Sequence, residues 1–185
     1  HLDGSEGMHY GVDAGMKFSG FKVTLRPEYR QLSSNYIPVY FDQFHSVERT
    51  LYNPGGDGTG SGSTGAGQTK LQYLKTLPED GPMVNGYFIL GIVDVLQTVV
   101  LEATYEDYDG EDNSQIFVGL YVPAAANFYF SGFYTKRNYD DIEEAFIFDD
   151  RSLVAAVLGY NAFAGISLTV SFTRTWIYDD ETSSY

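Results

Sequence analysis

The sequence predicts an all-β protein: an antiparallel up-and-down transmembrane β-barrel with about eight strands in this chain of 185 residues. Three observations lead to this prediction. Apolar and polar residues alternate along most of the chain, which is the period of a β-strand. The connections between the alternating segments are either a few residues long or long and rich in Asp and Glu, and aromatic residues lie near the segment ends. Short turns at one end and long polar loops at the other are typical of outer-membrane barrels.

The alternation defines the strands in order. From Met8 to Phe18 the even-numbered residues are apolar, and after 19–20 the apolar residues move to odd positions, as a two-residue hairpin turn requires. In 84–93 and 152–160 both faces are apolar, so the pattern does not assign their register. We predict strands at 8–18, 21–32, 84–94, 98–106, 114–122, 127–138, 152–161 and 165–178.

The connections alternate strictly between short and long. We expect short links at 19–20, 94–97, 123–126 and 161–164, and long ones at 33–82, 106–113 and 139–151. All long connections therefore emerge at one end of a single β-barrel domain that spans 1–185. Residues 53–68 consist mostly of Gly, Ser and Thr, a composition that predicts a long flexible loop.

Acidic residues are concentrated in the long connections and the two tails. Of the 25 Asp and Glu residues, only Asp13, Glu28, Asp94 and Glu102 lie elsewhere. The net charge of −14 argues against a nucleic-acid partner, which normally requires a basic face. No apolar run is long enough for a transmembrane helix, but a spanning β-strand needs only about 9–11 residues.

Aromatic residues mark both ends of the predicted strands. Such girdles are expected where strands cross the two membrane interfaces. A β-sandwich would have to pack both faces of each strand, and the second faces of the first, second and last strands are too polar for a core. Beside the short turns lie Phe18, Phe21, Phe128, Phe163 and Ile166, and toward the long loops lie Tyr29, Tyr105, Tyr134, Trp176 and Tyr178.

The polar face of the predicted barrel supplies candidate pore-lining residues. We expect Lys22, Arg26 and Arg30 to form a lumenal ion-pair ladder with Glu28. An acidic mouth would concentrate cations. An open pore depends on strand number, because about eight strands leave an interior that side chains fill. The candidate residues are Lys17, Lys22, Arg26, Glu28, Arg30 and Glu102.

No catalytic residue and no organic cofactor are predicted. His45 lies next to Ser46, and adjacent strand residues point to opposite faces, which prevents a local Ser-His pair. Loop 106–113 is rich in carboxylates, which suit hard cations such as Ca²⁺. The EF-hand spacing is not met, because the twelfth loop position is Val118 and not Glu. We therefore predict only a loose calcium site, formed by Asp107, Asp109, Glu111 and Asp112.

The whole pattern resembles the porin-like outer-membrane β-barrels of Gram-negative bacteria. Four stretches strengthen the resemblance: YIPVYFDQFHSVER at 36–49, YEDYDG at 105–110 with YTKRNYDD at 134–141, and SFTRTWIYDDETSSY at 171–185. They look like segments of uncharacterised porin-like proteins. The resemblance implies a barrel in the bacterial outer membrane, in contact with the lipid bilayer and lipopolysaccharide, and it carries over no catalytic residue.

The function expected from these features is passive, porin-like transport of small solutes with a preference for cations. The first alternative is a structural barrel that serves as a scaffold in an envelope complex, and the second is a soluble, lipocalin-like ligand-binding barrel. With eight strands both termini emerge at the acidic rim, whereas such barrels place both termini in the periplasm. We therefore expect either a missing strand on each side or a larger barrel completed by further strands or other envelope subunits.

Overall fold

The computed structural model describes residues 6–33, 81–125, 127–163 and 165–176. In these ranges nine strands form one antiparallel, up-and-down sheet, so the predicted all-β fold is confirmed. A short 3₁₀ helix, Ile142–Phe146, lies between the seventh and eighth strands. None of the described residues forms a helix that is long and apolar enough to cross a membrane. The strands are β1 (Gly7–Gly11), β2 (Ala14–Phe18), β3 (Phe21–Leu32), β4 (Val84–Val95), β5 (Val99–Tyr108), β6 (Ser114–Ala125), β7 (Phe128–Tyr139), β8 (Ser152–Phe163) and β9 (Ile166–Thr175).

The first predicted strand, 8–18, is divided into β1 and β2 by Pro27 on the neighbouring strand. The register does not change across the break, because Gly11 pairs with Glu28 and Ala14 pairs with Leu25. Val12 donates its backbone N–H to the carbonyl oxygen of Pro27 at 3.1 Å. Proline has no N–H with which to return the bond, so the ladder is interrupted at this point. The prediction of one continuous strand is wrong here for that reason.

The first short turn lies at 19–20 as predicted, and the other three lie slightly later in the chain. The β4–β5 turn contains Leu96 and Gln97, with φ of 54° and 57°, and Asn127 and Gly165 precede β7 and β9 with φ of 74° and 86°. Left-handed backbone is most easily adopted by Gly and Asn. Two of these turns therefore lie where Asn127 and Gly165 occur, whereas the β4–β5 turn places Leu96 and Gln97 in this conformation. β4, β6 and β8 continue one to three residues beyond their predicted ends.

Cross-strand pairing gives the sheet two different faces. Paired residues lie on the same face, and the charged face carries Lys17, Arg30 and Glu102, whereas the apolar face carries Phe21, Leu101 and Val170. Large side chains of the apolar face are exposed in every part of the sheet. They include Met8, Tyr10, Met16, Phe18, Phe21, Leu25, Tyr29, Tyr87, Ile89, Leu101, Leu120, Phe128, Leu158, Ile166, Leu168, Val170 and Phe172.

Several buried apolar residues of the strands lie on the charged face, in its half nearest the long connections. Phe88 and Leu90 of β4, Phe117 of β6 and Leu153 of β8 are buried there. The ring centroids of Phe117 and Phe133 are 5.6 Å apart. The sheet therefore encloses side chains on this face and presents the other to its surroundings.

Two sheet edges have no strand partner among the described residues. β1 and β2 pair only with β3, and β9 pairs only with β8, so the sheet is not closed. The two edges run antiparallel to each other. β1 starts opposite the end of β3 and β9 ends opposite the start of β8, and both places lie at the long-connection end of the sheet. The predicted flexible loop at 53–68, the stretch at 36–49 and the end of the predicted last strand lie outside the described residues.

Candidate functional site

All six predicted pore-lining residues lie on the charged face. Lys17 is opposite Lys22, which is in turn opposite Asp94. Glu102 is opposite Ile92, on the same face as Asp94 two residues along β4. Arg26, Glu28 and Arg30 alternate along β3 and complete the set. The strand alternation therefore brings these residues to one surface; their role as a pore lining stays a prediction.

Arg30 is the centre of a buried ion-pair network. Its side chain is 6% exposed, and its guanidinium nitrogens lie 2.9 Å from a carboxylate oxygen of Glu28 and 2.9 Å from one of Glu106. The same guanidinium donates to the hydroxyl of Tyr108 at 3.0 Å. Each buried charge thus has a partner of opposite sign, the arrangement that burial of charge requires.

The rest of the ladder forms around Glu28, as the sequence predicted for Arg26 and Arg30. Arg26 Nε lies 3.0 Å from Glu28 Oε1, and His9 Nδ1 lies 3.6 Å from Glu28 Oε2. The guanidinium carbon of Arg30 lies 3.9 Å from the ring centroid of Phe88, within range of a cation–π interaction. Lys22, which was also expected in the ladder, lies instead beside Lys17 and Asp94 near the short turn.

Glu106 and Tyr108 are members of this network that the sequence analysis assigned elsewhere. Glu106 was predicted where the strand 98–106 meets an acidic loop, and Tyr108 within that loop, but β5 continues to Tyr108 and places both residues on the charged face. Tyr108 lies across Gly86, where any added side chain would collide with its ring. The polar alternation at Glu102, Thr104, Glu106 and Tyr108 was the signal that could have identified them.

The charged face differs in chemistry between its short-turn end on β2 to β4 and its outer strand, β9. Near the short turns Lys17, Lys22, Asp94 and Gln97 line an open cleft of about 240 Å³. On β9 the face carries only hydroxyls, and Tyr129 reaches across Gly159 so that its own hydroxyl lies 2.8 Å from Thr169 Oγ1. The charges are therefore concentrated on β2 to β5. The β9 hydroxyls belong to Ser167, Thr169, Ser171, Thr173 and Thr175.

A second buried network fixes the connection between β7 and β8. Lys136 Nζ donates to Asp149 Oδ2 at 2.8 Å and to the carbonyl oxygen of Ile147 at 2.9 Å. Arg151 contacts the same carboxylate oxygen at 3.0 Å and the carbonyl oxygen of Asn138 at 2.6 Å. Ser152 Oγ lies 3.2 Å from the other carboxylate oxygen. This connection is therefore an ordered structure attached to the sheet.

Three of the four residues of the predicted calcium site have protein partners. Asp107 accepts a hydrogen bond from Ser114 Oγ at 2.8 Å, and Asp109 accepts one from Asn85 Nδ2 at 2.9 Å. Asp112 Oδ1 lies 3.5 Å from Arg151 Nη1, and Glu111 is exposed. Among the residues that the structure describes, no three acidic or histidine side chains are grouped to hold a metal ion. The calcium site stays a prediction.

The aromatic side chains form two levels on the apolar face. At the short-turn end Phe18 is paired with Phe21, and the ring centroids of Phe128 and Tyr160 are 4.7 Å apart. Toward the long connections the cross-strand pairs join Tyr10, Tyr29 and Tyr87 in one row. On the same face, Tyr105 lies opposite Ile89 and Tyr134 lies opposite Val118 and Val154, outside this row, whereas Tyr178 lies outside the described residues.

No protein-family model, curated protein or solved structure matches this chain. The resemblance to porin-like barrels therefore stays a prediction, and function is argued from the geometry of the two faces.

Proposed function

We propose that this chain forms the wall of a bacterial outer-membrane β-barrel that acts as a porin-like passive channel for small solutes, with a preference for cations. In this proposal the apolar face contacts lipid and the charged face lines the passage. The observation that carries it is the exposed apolar face, which extends over all strands and lies behind a face of paired charges. Soluble proteins rarely expose an apolar surface of this extent.

The spacing of the aromatic levels supports a lipid contact. Phe21 and Tyr29 are eight residues apart on β3, which corresponds to about 27 Å along the strand at roughly 3.4 Å per residue. With the usual tilt of about 40°, this spans about 20 Å of membrane, close to the apolar band of known barrels, about 25 Å. Leu25 lies midway between the two aromatics on the same face.

The preference for cations is inferred from the acidic rim. Asp109, Glu111, Asp140, Asp141 and Glu143 are all exposed where the long connections emerge. A mouth of one charge sign raises the local concentration of counter-ions. Below the rim, Arg30 and Arg26 are paired with carboxylates, so this half of the charged face does not oppose the rim with an unpaired cationic barrier.

Side chains fill part of the charged face, which favours a structural barrel that serves as a scaffold as the second candidate function. Phe88, Phe117 and Arg30 are buried on this face, and an eight-stranded barrel leaves little room beyond its side chains. A passage would require a larger barrel that includes further strands or other envelope subunits. The strand number of the complete assembly therefore separates a channel from a structural barrel.

Purification and planar-bilayer recording test the proposal in sequence. We expect the full chain to require detergent for solubility and to give discrete conductance steps that carry more cation than anion current. Solubility without detergent would overturn both membrane functions and favour the lipocalin-like carrier. A detergent-dependent protein without conductance would overturn the channel and leave the scaffold.

A further inference from the structure

The connection between β7 and β8 folds onto the apolar face and not over the charged face. Tyr134 and Lys136 lie on the apolar face of β7, because they pair with Val154 and Ser152 on one side and with Val118 and Ile116 on the other. Tyr134 donates its hydroxyl to the carbonyl oxygen of Ala145 at 2.6 Å. The 3₁₀ helix is thereby fixed to the outer surface of the sheet.

This outer segment is rigidly held from beneath. Ala145 is fully buried, as is Lys136, and the Lys136–Asp149 ion pair lies between the segment and the strand. Arg151 attaches the far end of the connection to the backbone of Asn138. Because the backbone is fixed by these contacts, the outward direction of the remaining side chains is fixed as well.

The outward side chains are large and apolar. Ile142 is 58% exposed, Phe146 62%, Ile147 56% and Phe148 51%. They lie within seven residues of one another in a connection that is otherwise rich in acidic residues. A rigid surface segment that exposes four such side chains to water is unfavourable, and exposed patches of this kind usually mark a contact with a membrane or another protein.

We propose that residues 142–148 form an interfacial anchor that inserts its apolar side chains into the boundary between headgroups and acyl chains of the outer leaflet. This inference rests on the proposed membrane function and specifies which loop contacts lipid. The anchor adjoins Tyr134 of the apolar face and Trp176 after β9: the ring centroid of Phe148 lies 5.4 Å from that of Tyr134 and 5.0 Å from that of Trp176.

Polar groups around the anchor match the chemistry of a lipid interface. Trp and Tyr are preferred at the headgroup level, and both rings contact Phe148. The guanidinium of Arg174 lies 4.9 Å from the ring centroid of Trp176 and belongs to the apolar face, where a headgroup phosphate would pair with it. The exposed carboxylates of Asp141 and Glu143 limit the depth of insertion. These features favour lipid over a protein partner.

Tryptophan quenching by brominated phospholipids tests the anchor. Trp176 is the single tryptophan of the chain, so Trp176→Phe gives a background into which Phe146→Trp and, separately, Leu120→Trp are placed. Leu120 lies at the centre of the apolar face and reports on the proposed membrane wall. Both variants are reconstituted in phosphatidylcholine vesicles with bromines either near the headgroup or deep in the acyl chain.

We expect the tryptophan at 146 to be quenched about twofold more by shallow than by deep bromines, and the tryptophan at 120 to show the opposite order. Quenching at 120 without quenching at 146 would overturn the anchor and leave the membrane wall. Absence of quenching at both positions would overturn the proposed function as well. A blue-shifted but unquenched tryptophan at 146 would mean that protein covers the segment, and this result also overturns the anchor.

A cysteine variant provides a second measurement if the tryptophan background does not fold. The chain has no cysteine, so a nitroxide attached at Ile142→Cys is the only label in an otherwise unchanged protein. We expect the label to be more accessible to oxygen than to a water-soluble nickel chelate. Greater accessibility to the chelate would place the segment in water and overturn the anchor.

Discussion

The side-chain nitrogen of Lys136 lies 2.8 Å from a carboxylate oxygen of Asp149, and the two side chains are 0% and 4% exposed. Removal of one partner from a buried ion pair leaves the other charge uncompensated, which costs about 3–5 kcal/mol. We expect Lys136→Met to lower the free energy of unfolding by about 3 kcal/mol, the lower end of that range, because Arg151 still contacts Asp149. Urea unfolding of the reconstituted protein measures this loss.

Lys17→Met is the matched control for this substitution, because Lys17 is exposed and lies opposite another lysine. Its expected effect on the free energy of unfolding is within about 0.5 kcal/mol. Equal effects of the two substitutions would contradict a structural role for the buried pair.

Asp149 also predicts how stability depends on pH. Burial alone would raise its pKa, but hydrogen bonds from Lys136 and Arg151 outweigh burial and hold the pKa of Asp149 below its ordinary value of 3.8. A carboxylate whose pKa is lowered by folding stabilises the protein above its ordinary pKa, and this stabilisation is lost as the pH falls below that value. We expect the urea midpoint of the wild type to fall more steeply below about pH 4 than that of Asp149→Asn.

Asp150 has the opposite effect on the pH dependence of stability, so its contribution has to be removed from the comparison. Asp150 is exposed, but partial desolvation and the charge of Asp149 beside it raise the pKa of Asp150, so the folded state binds a proton more readily than the unfolded chain and gains stability as the pH falls. The comparison is therefore made in an Asp150→Asn background. The prediction would be contradicted if, in that background, the urea midpoint of the protein with Asp149 fell no more steeply at acid pH than that of Asp149→Asn.

The Arg30 network predicts a change in ion selectivity. Arg30→Met removes the cation between Glu28 and Glu106 and leaves two carboxylates of like charge on the charged face. We expect a loss of about 3 kcal/mol in the free energy of unfolding, as for other buried pairs, and, in a conducting assembly, a shift of the reversal potential toward greater cation preference. The double variant Arg30→Met with Glu106→Gln should recover part of both effects. Unchanged stability in Arg30→Met would contradict the network.

Adjacent residues of β5 test which face contacts lipid. Leu101 lies on the apolar face, paired with Val93 and Leu120, whereas Val100 lies on the charged face, paired with Asp94 and Tyr121. An arginine on a barrel's lipid face costs about 2–4 kcal/mol at the midplane and less toward either interface. We expect Leu101→Arg to lower the folding yield in phosphatidylcholine vesicles strongly and Val100→Arg to lower it much less. Equal yields, or a lower yield for Val100→Arg, would contradict a lipid contact of the apolar face.

Much of the sheet could be predicted because alternation depends only on residue order. β3 has its predicted bounds, Phe21–Leu32. The six pore-lining candidates share a face because each lies at a polar position of the alternation in its own strand. The break opposite Pro27 was not predicted, because it depends on which residue of the neighbouring strand faces Val12. Pairing partners are a property of the folded sheet and cannot be derived from the period of a single strand.

The buried networks were predicted only in part for the same reason. Glu28 and Arg30 lie on one strand and were expected to interact, but Glu106 reaches Arg30 from β5, 76 residues away in sequence. In β4 and β8 both faces are apolar, so the pattern did not show that Phe88 and Leu153 face the charged side. The outer position of residues 142–148 depends on contacts with Tyr134 and Lys136 and leaves no periodic signal in an acidic loop.

The two sheet edges that lack a strand partner among the described residues predict how the proposed barrel would be completed. β9 and the β1–β2 edge run antiparallel, and each carries apolar residues on one face and polar residues on the other, so they can pair without exchanging faces. Because the chain has no cysteine, Gly15→Cys can be combined in turn with a cysteine at each charged-face position of β9. Disulfides form only where the Cα atoms are about 4.4–6.8 Å apart.

We expect oxidation in vesicles to cross-link Gly15→Cys with one, and at most two neighbouring, charged-face positions of β9, because a paired edge has one register. Gly15→Cys with Ser131→Cys, in the middle of the sheet on β7, is the control that should not cross-link. On denaturing gels a product of monomer size would show a barrel closed within one chain, and a product of dimer size would show a larger barrel that joins two copies. Absence of any cross-link between Gly15→Cys and β9 would contradict closure of the sheet through these edges.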